Sequence, residues 1–313
     1  MSIDEKKATR LSYGEELVNL GIELPNIVVL DADLAGATKT DLFRKKFPDR
    51  HINCGIAEAN MIGISAGLST CGFIPFASTF AMFAAGRAYE QIRNSICYPN
   101  LNVKIAATHA GISVGEDGAS HQCIEDFSLM RTLPNMVVLS PCDDIETKQA
   151  LRAAAIHNGP VYIRLGRYAV SKVNSDNYQF SIGKGTVLKN GTDLSIITTG
   201  LTVAPCLEAA EKLDKLGLST EVINISTIKP LDKDLIISSA RKTKKIVTVE
   251  EHSVIGGLGS AVLEALSDTL PIPVYRIGIY DQFGESASAS ELIHKYKLDA
   301  EGIYDQIVKK FIR

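Results

Sequence analysis

MVVLSPCDDIETKQALRAAAIHNGPVYIRL, residues 136–165, is the stretch that decides the fold. It reads as an apolar strand at 136–140, a helix at 146–157 and a second apolar strand at 160–165. Strands that are apolar throughout, joined by a helix, belong in a parallel sheet covered on both faces. The same alternation runs upstream. IVVL (27–30) reads as a strand, 57–71 as a helix rich in Ala, Gly, Ile and Met, NVKIAA (102–107) as a strand and IEDFSLMR (124–131) as a helix. Between residues 168 and 193 the chain turns polar, with SKVNSDN and KNGT as turn signals. A second alternation follows. Strands are expected at 194–200, 219–225, 245–251 and 273–279, and helices at 203–216, 231–241 and 259–267. The expected fold class is α/β in two domains, each a mainly parallel sheet with helices on both faces. The boundaries read as 1–180, a linker at 181–192, and 193–313.

The 313 residues are enough for two such domains. With 45% hydrophobic and 22% charged residues and a formal net charge of −3, nothing favours nucleic acid. The N-terminus MSIDEKKATRLSYGEEL has no apolar run for a signal peptide, and no stretch approaches the ~18 apolar residues of a membrane span. Six scattered cysteines without a CxxC read as free thiols in a reducing, cytoplasmic setting.

Ligands of parallel sheets gather at the C-terminal ends of the strands. DADL (31–34) and THAGISVGEDGASHQ (108–122) sit just there. The second packs His109, Glu116, Asp117 and His121 into a Gly-rich loop. It reads as a solvated turn, as a site for a polyhydroxylated ligand, or as a metal site, although the spacing fits no familiar zinc pattern. NCGIAEANM (53–61) places Glu58 at a helix start. A first-turn glutamate there offsets the helix dipole. Among small and apolar neighbours its carboxyl would also hold a proton more readily and could share it with a heterocyclic nitrogen. In STFAMFAAGRAYEQIR (78–93), Phe80 and Phe83 lie three apart, as a core stripe or as one wall of a slot for a flat ring. Arg10 and Arg167 are surface arginines or anion-binding forks. GGLGSA (256–261) lacks the third glycine of a dinucleotide loop and reads as a tight turn opening a helix.

Taken in order, ATR (8–10), ADL (32–34), GIAEANM (55–61), STFAMF (78–83), VGEDGASHQ (114–122), RLGR (164–167) and FGESASASELIHKY (283–296) resemble the C-terminal section of transketolase over essentially the whole chain. Deoxyxylulose phosphate synthases and 2-oxoacid dehydrogenase β subunits share the GIAE-type glutamate but diverge in the VGEDGASHQ loop, although RAYEQ (87–91) looks more like the synthases. The resemblance implies a pyrimidine-binding domain followed by a transketolase C-terminal domain. It implies a transferase of carbohydrate metabolism, of the pentose phosphate type, that moves a two-carbon ketol unit from a ketose to an aldose through thiamine diphosphate. Glu58 would hydrogen-bond the aminopyrimidine and favour its imino tautomer, with Phe80 and Phe83 packed against that ring. His121 would lie near the donor carbonyl, Asp117 would read a sugar hydroxyl, and Arg10, His109 and Arg167 would bind the phosphate end.

Two departures stand out. Asp31 replaces the serine before ADL that helps to hold phosphate, with Thr38 and Lys39 downstream as candidates to substitute. Ala85 and Gly86 stand where the family has another aromatic ring. No GDG, the family's Mg²⁺–diphosphate motif, occurs anywhere. The chain itself is therefore expected to supply no metal ligands. Mg²⁺ and the diphosphate would be held by a separate N-terminal-section subunit in an α2β2 assembly, across the Ala/Gly-rich helix 57–71. The alternatives are another ketol-transfer enzyme, synthase-like or for an unusual sugar, and a non-catalytic assembly partner.

Overall fold

The computed structural model describes residues 6–312. Its larger sheet has seven strands in the order Thr227–Lys229, Val137–Leu139, Val161–Arg164, Lys104–Thr108, Ile74–Phe80, Ile27–Asp31, His51–Asn53. Every pairing is parallel except that of Thr227–Lys229, which the second half of the chain contributes. The central strands are buried from end to end, as their apolar runs require. Side chains alternate between two cores. Ile27 and Val29 join Tyr13, Leu17 and Phe76 under the helices Thr9–Glu23 and Asp144–Ile156. Val28 and Leu30 point to the other face, with Met61 and Ile62 of helix Glu58–Thr70.

The second sheet runs Val274–Ile279, Ile246–Ser253, Leu194–Thr198, Thr220–Asn224, Thr186–Lys189, antiparallel only at the last strand. The polar stretch read as turns thus holds two short strands. Ala169–Ser171 pairs with Lys6–Ala8, and Thr186–Lys189 forms a sheet edge. Both are half-exposed and only three or four residues long, too short to show an apolar period. No helix among the described residues is long and apolar enough to cross a membrane.

One apolar cluster is continuous from Met61 to Leu258 and Val262, so the halves share a core. A buried ionic group pins the same seam. The Arg164 Nε donates to both Asp126 oxygens at 3.2 and 2.9 Å, and its Nη2 donates to the Glu251 carbonyl at 2.9 Å. The Ser113 N–H donates to Glu251 Oε1 at 2.6 Å. His252 stacks on Phe127 and accepts from its N–H at Nε2, so the ring proton sits on Nδ1 and is donated to the Ser253 carbonyl. Burial holds His252 neutral, with its pKa lowered to about 4. Replacing Arg164 by Met strands the Asp126 carboxylate in this seam. The expected cost is about 3–5 kcal/mol of stability, read as a lower denaturant midpoint. An unchanged midpoint would show that the ionic group does not hold the halves together.

Candidate active site

Strand His51–Asn53 ends in a turn at Gly55, whose φ is +68°, and helix Glu58–Thr70 then starts at Glu58. Asn53 Oδ1 accepts from the N–H groups of Gly55 (2.9 Å) and Asp33 (3.1 Å), tying this turn to the DADL loop. Glu58 is buried, 4% exposed. Its surroundings differ from the apolar set expected. Ile56 and Ala59 face outward, while Arg87 Nη1 donates to Glu58 Oε1 at 3.2 Å and lies over the Phe83 ring at 4.1 Å. Arg87 is not among the residues that the sequence singles out. Its place one helical turn after the aromatic pair is the signal that could have found it.

Phe80 closes strand Ile74–Phe80, and Phe83 opens the π-helical turn Phe83–Arg87, a distortion common at functional sites. The two rings stack at 5.7 Å and 15°. His109 stacks on Phe80 at 3.8 Å, and His121 meets Phe83 edge-on at 5.4 Å. The structure therefore brings both phenylalanines and both histidines into one cluster, with Arg87 bridging it to Glu58. At Gly86 a Cβ would lie 2.6 Å from the Met82 methyl, so Met82 occupies the space beside this backbone. A cavity of about 670 Å³ opens alongside, between Phe83, Arg87, Gln122 and Phe283.

Arg10 and Arg167 converge on the far side of His109. Arg10 Nη1 donates to His109 Nε2 at 3.0 Å. Arginine has no acceptor, so Nε2 accepts and the Nδ1–H goes to Thr108 Oγ1 at 2.8 Å. Burial first, then Arg10, Arg167, His121 and Lys39, push the His109 pKa down to about 3, which leaves the ring neutral. Arg167 Nη1 donates to the Val114 carbonyl at 2.8 Å and meets Asp117 at 3.5 Å. Asp117 is exposed on the rim.

Asp31 is not where a phosphate-repelling carboxylate would stand. It is fully buried and accepts from the Leu34 N–H and Thr40 Oγ1, both at 3.3 Å. His51 Nε2 lies 2.6 Å from it, within ion-pair range though off the line of a hydrogen bond. Thr38 is also buried and donates to the Leu34 carbonyl, which removes it as a substitute ligand. At GGLGSA, the N-terminus of helix Leu258–Ser267 is already taken by a side chain. Glu250 accepts from Leu258 and Gly259 at 2.7 and 2.8 Å, so this turn is filled by the protein's own carboxylate. Among the described residues, no three His, Cys, Asp or Glu side chains are grouped to hold a metal.

Residues 5–172 match the family model of the transketolase pyrimidine binding domain, and residues 183–303 that of the transketolase C-terminal domain. A putative transketolase C-terminal section from Methanocaldococcus jannaschii is 51% identical, over 97% of this chain and 96% of its own. A 6-deoxy-6-sulfo-D-fructose transketolase subunit from a Clostridium species is 41% identical, over 96% and 93%. A solved structure described as a split gene transketolase, inactive beta4 tetramer, has a TM-score of 0.90 at 56% identity, covering 96% of this chain and 97% of its own. The chain belongs to the transketolase family of thiamine diphosphate enzymes. It corresponds to a section that is a separate chain in these relatives, and it spans 49% of the 37% identical mouse transketolase. The stacked phenylalanines and the buried Glu58 carboxylate, joined through Arg87, are aromatic and proton-sharing groups of the kind a flat aminopyrimidine calls for.

Proposed function

We propose that this chain is the cofactor-activating subunit of a two-chain transketolase, transferring a two-carbon ketol unit from a ketose to an aldose. The observation that carries this reading is Glu58, buried at a helix start beside the Phe80/Phe83 wall, in a sequence without GDG. When bound, thiamine diphosphate supplies the carbon nucleophile. Glu58 Oε1 shares a proton with the pyrimidine nitrogen, and Arg87 steadies or releases that oxygen. Phe83 borders the ring and excludes water from one side, and Phe80, stacked between Phe83 and His109, backs it. His121 faces the donor carbonyl and Asp117 accepts from a sugar hydroxyl. Arg10 and Arg167 receive a terminal phosphate, and neutral His109, held between Arg10 and Thr108, positions the Arg10 guanidinium. A separate N-terminal-section subunit holds the diphosphate and Mg²⁺, and the pair assembles as α2β2.

Relatives named for 6-deoxy-6-sulfo-D-fructose and apulose 4-phosphate, 41% and 38% identical, favour a second reading of the substrate: an unusual ketose with an anionic end. Assay of the reconstituted pair with phosphorylated, sulfonated and neutral ketoses decides between them. Transfer from a common ketose phosphate supports the first and transfer from the sulfonate alone the second, whereas no transfer from any ketose overturns both.

A further inference from the structure

Segment 31–40 is built to present one more cation at the anion end. Its two candidate ligands other than Lys39 are spent internally: Asp31 on Leu34, Thr40 and His51, and Thr38 on Leu34. Lys39 follows the short helix Ala35–Thr38 in the left-handed region, φ 72° and ψ 13°, a conformation costly for a side chain with a Cβ. The neighbouring helix makes room for it there. A Cβ on Gly14 would lie 2.5 Å from the Lys39 carbonyl oxygen and 2.6 Å from its Cβ, so only glycine lets the two backbones close. Arg10, one turn earlier on the same helix face, donates to the Ala37 carbonyl at 3.0 Å. The same Arg10 nitrogen reaches His109. One helix thus fixes the Lys39 backbone and places Arg10 beside it.

The charges at this point are unbalanced. Lys39 is half-buried, and among the described residues its ammonium meets no carboxylate and no hydrogen-bond acceptor. Its segment is tied to the His109 ring through Arg10, which donates both to the Ala37 carbonyl and to His109 Nε2. The facing carboxylates, Asp117 and Glu116, touch Arg167 only, at 3.5 and 3.7 Å. Arg10 Nε is buried without an acceptor. Two guanidiniums near a neutral imidazole, one with an unpaired nitrogen, and a lysine on the segment that Arg10 holds suit a multivalent anion.

We propose that Lys39 is the specificity-determining residue for the terminal anion of the sugar, taking the place of the hydroxyl that Asp31 lacks. The proposal rests on the ketol-transfer reading and deepens it. The recognised chemistry is a tetrahedral oxyanion on the sugar's far end, phosphate or sulfonate.

The test uses the reconstituted pair with thiamine diphosphate and Mg²⁺. It reads the ratio of kcat/KM for a phosphorylated ketose to that for the same ketose with a free hydroxyl, and inhibition by inorganic phosphate. A ketose sulfonate is the second arm, and whichever anion gives the larger ratio identifies the preferred end. In Lys39→Gln the ratio falls at least about tenfold, mainly through KM, and inorganic phosphate inhibits more weakly by a similar factor. Lys39→Arg keeps most of both. Lys39→Gly removes the charge while suiting the left-handed backbone, so it should match the Gln variant even if the latter folds poorly. An unchanged ratio in the Gly variant, or an equal loss for both ketoses, overturns the proposal. A wild-type pair that uses neutral and anionic ketoses equally well overturns it while leaving ketol transfer standing. A wild-type pair that transfers nothing removes the functional reading itself.

Discussion

Glu58→Gln abolishes ketol transfer in the reconstituted pair, lowering kcat by about three orders of magnitude. The substitution keeps the shape and the acceptor oxygen. The new amide oxygen can still accept from Arg87 at the 3.2 Å position, and a side chain that is 4% exposed keeps its packing. What disappears is the ability to give and take a proton at one oxygen. The helix therefore survives, and the loss lands on proton traffic with the pyrimidine ring. The measurement is hydrogen–deuterium exchange at the thiazolium carbon of cofactor bound to the pair. Exchange at the wild-type rate in Glu58→Gln would remove Glu58 from the mechanism. Arg87 offers an internal comparison. It touches both Glu58 and Phe83 but carries no exchangeable role of its own at pH 7, so Arg87→Ala should slow exchange far less than Glu58→Gln.

The positions of the site residues are legible in the sequence because the parallel sheet forces them together. Phe80 ends a strand, His109 follows Lys104–Thr108 directly, and Arg167 stands three residues after Val161–Arg164. Any ligand-facing side chain at those strand ends must share one edge with the others. The apolar runs at 27–30, 102–107, 136–140 and 160–165 coincide with four of the seven strands because those strands are covered on both faces. Ile74–Phe80 is just as buried, but its end reads as an aromatic motif rather than as a strand. Thr227–Lys229 and Thr186–Lys189 have no signal to offer, being three or four residues long and at sheet edges. The fates of the carboxylates are hidden for a different reason. Whether Asp31 faces a ligand or serves its own loop depends on Thr40 and on His51, twenty residues away. Whether the GGLGSA turn is open depends on Glu250 in the preceding strand. Such partners are chosen by tertiary packing, and no local pattern encodes them.

Alone, the chain binds thiamine diphosphate at least about a hundredfold more weakly than the pair does, and adding Mg²⁺ does not help it. Mg²⁺ demands a near-octahedral set of oxygens bridging protein to diphosphate. The sequence has no GDG, and among the described residues no cluster of acidic side chains or histidines replaces it. In the proposed reading the aromatic wall and Glu58 would grip only the pyrimidine, a small part of a flexible molecule whose ordering must be offset. Helix Glu58–Thr70 adds a structural argument. It turns Ala59, Gly63 and Gly67 outward beside the exposed Ile56, a face smooth enough for another backbone to approach closely. The proposed site is thus one wall of a cleft that a second chain would complete. Equilibrium dialysis of cofactor against the lone chain, with and without Mg²⁺, and then with the partner added, measures the difference. Tight, Mg²⁺-dependent binding by the lone chain sinks the two-chain reading, because a diphosphate site would then have to exist within this chain.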